Sequence, residues 1–295
     1  MNPKAIWMIL SVLFSVVILA GCASSGQASA ISPTQTPAPQ EPVKAATPTA
    51  QPTETAVIPT PTQELWHLLI LGDSSVWNAA DIYPPIIERD LGHKVVVEDY
   101  SLGGLLMSEV LQVLKTGESI RPELLSLSKT ISHAEMVVMF IGIPAGSINP
   151  KNPFNQDGCI SGDSPPENCN PASLEQYTTD LKWIWGEIFR LRNGQPTILR
   201  TMDLYTPLIN QYNENGILLA CTRCLENYSN AIHLAAEAYH IPFIRRDDIY
   251  DGVNHDEDAV AKGYILEDGE HPSNLEAQLI AEQLSQLGYE PVLPP

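Results

Sequence analysis

Two short stretches of this chain carry residues that could do chemistry together. The first is Gly72-Asp73-Ser74-Ser75, directly after the apolar run Leu65–Leu71. A serine at a tight strand-to-helix turn presents its hydroxyl at a helix N-terminus, where a nucleophile can be used. The same residues also read as a simple N-cap, because Asp and Ser favour that position. The second stretch is Asp268-Gly269-Glu270-His271-Pro272-Ser273-Asn274. An Asp three residues before a His can set its carboxylate against the imidazole nitrogen remote from a substrate. That fixes the tautomer and stabilises the imidazolium form. Asp90-Leu91-Gly92-His93 has the same spacing, but reads as a helix C-terminus closed by Gly92. Pro272 and an N-cap candidate place His271 on a loop before the last helix. His67, His93, His133, His233, His240 and His255 show no such pairing in sequence, and each is expected to be a satisfied structural histidine.

The elements that must position these residues follow from periodicity. Short apolar runs at Leu65–Leu71, Val95–Val97, Met136–Ile141, Thr197–Thr201 and Ile241–Ile244 predict five buried strands. Between and after them, Ile82–Leu91, Leu105–Leu114, Leu174–Arg192, Leu225–His240 and Asn274–Leu287 have helical patterns. The alternation predicts an α/β fold: a mainly parallel sheet covered by helices on both faces, three layers in all. Ligands of such sheets sit beyond the carboxyl ends of the strands, and Ser74 stands there.

Taken together, these residues resemble the SGNH (GDSL-type) hydrolase family. The first block matches as Leu71-Gly72-Asp73-Ser74 and the last as Asp268-Gly269-Glu270-His271-Pro272. Ser101-Leu102-Gly103-Gly104 matches the glycine block after the second strand, with Gly104 fitting best. The resemblance covers nearly all of residues 64–295. It implies a doubly wound, flavodoxin-like sheet, with Ser74 as nucleophile, His271 as base and Asp268 as its orienter. It also implies the backbone N–H groups of Ser74 and Gly104 as oxyanion donors, and no metal or other cofactor. One block departs. Where the family has Gly-x-Asn-Asp, this chain has Gly142-Ile143-Pro144-Ala145. Proline has no side-chain donor to replace the Asn. Either two backbone donors suffice, or Asn149 or Ser147 reaches in, or catalysis has been lost.

Other candidates leave more than one reading open. Trp77 either lines the substrate cleft or packs a helix. Of Trp183 and Trp185, two residues apart on one helix, one is expected in the core. Cys159, Cys169, Cys221 and Cys224 suggest disulfides, with Cys159–Cys169 and Cys221–Cys224 favoured among three pairings. A zinc site or a redox Cys-x-x-Cys is the alternative. Arg245–His271 carries nine carboxylates and reads as a solvated acidic loop, with calcium as its alternative.

The N-terminus adds location. Lys4 precedes the apolar run Ala5–Ala20, which ends in Leu19-Ala20-Gly21-Cys22. This has the form of an export signal, and its ending resembles a bacterial lipobox. The resemblance implies cleavage before Cys22 and lipid on that cysteine. Residues 1–21 are thus expected to be a signal peptide. Residues 22–63, rich in Pro and Thr, are expected to be a disordered tether, and residues 64–295 the hydrolase-like domain. The net charge of -19 argues against a nucleic-acid partner, which requires a basic face. The expected protein is an extracytoplasmic, membrane-anchored serine esterase or deacylase acting on a small acyl group carried by a glycan or lipid. The alternative is a binding lipoprotein with the same fold and an impaired site.

Overall fold

The computed structural model describes residues 65–142, 171–205, 213–214, 216, 218–254, 256–268 and 271–293. The signal peptide, the tether, Cys22, Pro144, Ser147, Asn149, Cys159, Cys169 and His255 lie outside the described residues.

Five strands form the frame: β1 Leu65–Gly72, β2 Lys94–Ser101, β3 Met136–Phe140, β4 Ile198–Met202 and β5 Phe243–Ile244. All pairings are parallel, in the order β2-β1-β3-β4-β5. The central strands explain their own sequences. β3 (MVVMF) is buried at every position, as a strand covered on both faces requires. β2 (KVVVEDYS) lies at an edge and exposes its charged residues in part. Arg200 on β4 is fully buried, and its guanidinium donates to the carbonyls of Leu199, Gly288 and Glu290.

The helices are α1 Ala79–Leu91, α2 Met107–Thr116, α3 Leu127–His133, α4 Pro171–Arg192, α5 Leu218–Ala238, α6 Arg246–Asp251 and α7 Asn274–Gln286. The chain winds from β1 outward to β2, then reverses past β1 to β3. With crossovers of one hand, this reversal puts α1 on one face of the sheet and the helices that follow β2 on the other. α1 packs on α7, while α2 and α3 pack on α4, and α4 on α5. The reversal creates a crevice between the carboxyl ends of β1 and β3. No helix among the described residues is long and apolar enough to cross a membrane.

Three sequence expectations need correction. α1 starts at Ala79 rather than Ile82, so Pro84 and Pro85 lie inside the helix. Burial of Ala79, Tyr83, Ile86 and Ile87 on one face holds it despite the missing donors. α3 was not expected; its seven residues are too few for periodicity to show, but Leu127, Thr130 and Ile131 form a buried stripe. The segment after β5 is not a solvated acidic loop at its start. It forms α6, where Asp247 and Asp251 are buried, while Asp256, Glu257, Glu267 and Asp268 are exposed.

Candidate active site

The turn that carries Ser74 is held from three sides. Gly72 ends β1, and a side chain there would strike the Phe140 carbonyl and Val76, so only glycine lets β1 turn beside β3. Asp73 caps the single 3-10 turn Ser74–Val76, accepting from the Ser75 N–H at 2.9 Å through Oδ1. Its Oδ2 accepts from the Gly142 N–H at 2.9 Å, tying the turn to the segment after β3. Burial raises the Asp73 carboxyl above its ordinary pKa. The cap and nucleophile readings are therefore compatible: Asp73 fills the cap, and Ser74, half-buried, starts the turn.

Behind the turn lies Arg246, fully buried at the start of α6. It donates to the Ser75 carbonyl at 2.7 Å and to Glu276 of α7 at 2.8 Å. The Tyr205 ring lies 4.3 Å from its guanidinium carbon. Burial opposes its charge, but Glu276 outweighs this and keeps Arg246 protonated. The sequence reading missed this residue, although its place just after the fifth strand was a usable signal.

Next to Arg246 is a buried acid cluster. Asp203, one residue past β4, accepts from the Asp247 N–H at 3.1 Å and pairs with His233 Nε2 at 2.6 Å. Burial, with the Asp203 carboxylate beside it, pushes Asp247 up to about 8.

The His271 loop is pinched at its base. Ile265 and Pro272 form an antiparallel bridge, with Leu266 N–H donating to the His271 carbonyl at 2.8 Å. Ser273 then caps α7 by accepting from the Glu276 N–H. Within this loop Asp268 grips His271 with both oxygens. Oδ2 lies 2.8 Å from Nδ1, and Oδ1 accepts from the His271 backbone N–H at 2.9 Å. A carboxylate can only accept, so the proton sits on Nδ1 and Nε2 keeps its lone pair for a base's role. Asp268 is nonetheless about half exposed, at 47%.

The two segments meet. Trp77, three residues past Ser74, stacks on the His271 ring with centroids 4.7 Å apart and planes at 9°. Asn78 reaches the Pro272 carbonyl at 3.4 Å. Trp77 packs on His271 and still exposes 45% of its surface.

Gly104 sits in the turn Leu102–Leu105, closed by the Leu105 N–H on the Leu102 carbonyl at 2.9 Å. Its φ of 63° is left-handed, and glycine is the favoured residue at that third turn position. Arg121 donates to the carbonyls of Gly103 and Gly104, each at 3.2 Å, and is itself held by Glu109 at 3.0 Å. In a trans peptide the N–H points opposite the carbonyl before it. Arg121 therefore turns the Gly104 N–H away from itself. The sequence contained no sign of this arginine's role. Among the described residues, nothing accepts from the N–H groups of Ser74 or Gly104. Cys221 and Cys224 lie one turn apart on α5, both buried.

Known structures share this architecture. The chain is similar to a lipase from a goat-rumen metagenome, at 16% identity and a TM-score of 0.54, over 76% of this chain and 98% of that one. It is similar to a GDSL-like lipase of Parabacteroides merdae, at 12% identity and a TM-score of 0.51, over 76% and 96%. The fold is that of the SGNH hydrolases. An acetyl-xylooligosaccharide esterase variant from Geobacillus also superposes on this SGNH frame, at 14% identity and a TM-score of 0.52, over 77% and 96%. No family model matches the sequence, and no curated protein matches it. On the SGNH frame, Ser74, Gly104 and the Asp268–His271 pair all follow carboxyl ends of strands or precede the last helix.

Proposed function

We propose that this protein is an extracytoplasmic serine esterase or deacylase, anchored to the membrane by lipid on Cys22. The observation that carries the reading is His271, held by both oxygens of Asp268 and stacked on Trp77 of the Ser74 turn. Ser74 Oγ attacks the ester carbonyl carbon as its proton passes to His271 Nε2. Asp268 steadies the resulting imidazolium, and the N–H groups of Ser74 and Gly104 receive the oxyanion. The alcohol leaves with the proton from His271. Water then attacks the acyl-enzyme, His271 again taking a proton, and Ser74 is regenerated with release of the acid.

Small acyl esters carried by a glycan or lipid are the proposed substrates. Esterases and lipases among the similar structures support ester hydrolysis. The four cysteines Cys159, Cys169, Cys221 and Cys224 are proposed to form disulfides, as export to an oxidising compartment favours. The test of the nucleophile is labelling by a fluorophosphonate, in which serine oxygen displaces fluoride from phosphorus. The adduct is expected on Ser74, located by peptide mass spectrometry, and absent in His271→Ala. Labelling of His271→Ala as fast as wild type would contradict the reading.

A further inference from the structure

A second cluster lies on the other half of β1, away from Ser74. His67 stands five residues before Gly72, so roughly 16 Å of strand separates it from the turn. In the β1–β2 register His67 faces Val96 and Leu69 faces Glu98. Residues in register point to the same side, so His67 and Glu98 share one sheet face. The last residue of α3, His133, sets its ring edge-on to His67, centroids 4.9 Å apart. His67, Glu98 and His133 each offer one ligand atom, and these three atoms lie within 4.8 Å of one another.

The hydrogen bonding at this cluster is incomplete. His133 Nδ1 is 2.8 Å from the Lys129 carbonyl. A carbonyl only accepts, so Nδ1 carries the proton, and in neutral imidazole Nε2 turns a lone pair toward Glu98 Oε1 at 3.5 Å. His67 Nδ1 is buried and has no hydrogen-bond partner among the described residues, with Glu98 Oε1 4.0 Å away. Protonating His133 would relieve its contact with Glu98 but leave His67 Nδ1 unanswered. One cation between the three would give His67 Nδ1, His133 Nε2 and Glu98 Oε1 a common partner.

We propose that His67, Glu98 and His133 bind a divalent transition-metal ion, zinc being the first candidate, as a staple joining β1, edge strand β2 and α3. Two imidazoles and one carboxylate are a borderline donor set that suits zinc and disfavours calcium or magnesium. Zinc bonds near 2.0–2.2 Å place tetrahedral ligand atoms about 3.3 Å apart. The separations of 3.5 Å and 4.0 Å to Glu98, with all three ligand atoms within 4.8 Å, require the side chains to close in by up to about 1.5 Å, and water would complete the fourth position. The Lys129 carbonyl on His133 Nδ1 is the outer partner that fixes a ligating tautomer. Because the site is remote from Ser74, its metal serves the fold and not the ester chemistry.

The test uses the full chain, stripped of metal with a chelator, then titrated with Zn2+ in competition with a chromogenic chelator. One tight equivalent is expected, with a rise in Tm. His67→Gln, Glu98→Gln and His133→Gln should each weaken it by more than about 100-fold. In the chelator the variants should melt close to metal-free wild type, which separates lost ligation from lost folding. Co2+ should give visible tetrahedral bands without a thiolate charge-transfer band. Equal zinc retention by wild type and a His67→Gln/His133→Gln double variant would overturn the proposal. So would a thiolate band, or a wild type that cannot compete with the chelator.

Discussion

The guanidinium of Arg246 donates to the carbonyl of Ser75 at 2.7 Å, although 171 residues separate them. It also pairs with Glu276 of α7 at a site where both side chains are almost fully buried. One residue thus joins the Ser74 turn, the helix after β5 and the last helix.

Arg246→Ala is expected to destabilise the domain by about 3–5 kcal/mol, because Glu276 would be left as a buried, unpaired charge. Urea denaturation measures this. Arg246→Met combined with Glu276→Leu should lose less than Arg246→Ala alone, since the second change removes the orphaned carboxylate.

Arg121 is expected to act by orienting the Gly103–Gly104 peptide. Arg121→Ala should lower kcat for ester hydrolysis about tenfold with little change in KM. That is short of the roughly 10²–10³ lost when an oxyanion donor is removed outright. A change confined to KM would place Arg121 in substrate binding instead.

Asp268→Asn should keep the fold and lower kcat/KM by about 10² to 10⁴, since an amide can no longer hold the Nδ1–H tautomer or stabilise imidazolium. Steady-state kinetics, with a Tm within a few degrees of wild type, check it. The half-exposed position of Asp268 favours the lower end of that range.

Asp247 gives a pH dependence of stability with a definite sign. Its folded pKa is raised to about 8 from 3.8. The folded state therefore keeps a proton that the unfolded state has released, and the stabilisation is full below about pH 4. It is lost as pH rises toward about 8. Burial shifts Asp73 and Glu276 in the same direction. Wild-type Tm should fall between pH 5 and pH 8.5, and Asp247→Asn should show a smaller fall.

Much of this arrangement was legible in the sequence because local signals agreed with the global fold. Uninterrupted apolar runs marked β1 and β3, and glycine with proline bounded the His271 loop. The five strands and their parallel sheet follow, with ends displaced by a few residues. α3 and α6 were not legible, since each is shorter than two turns and buries only a narrow stripe. The acidic run misled because charge count does not reveal that Asp247 is beside Asp203, 44 positions away. Arg121 and the His67–Glu98–His133 cluster depend on contacts between separate elements, which no local pattern encodes.

The central claim is that Ser74, activated by His271, hydrolyses esters. The most direct measurement compares initial rates of aryl-acetate hydrolysis by wild type and Ser74→Ala, each with its Tm recorded. Wild type should turn over, and Ser74→Ala should lose on the order of 10⁴-fold or more in rate while melting at a similar temperature. Equal rates for the two proteins would contradict catalysis by Ser74.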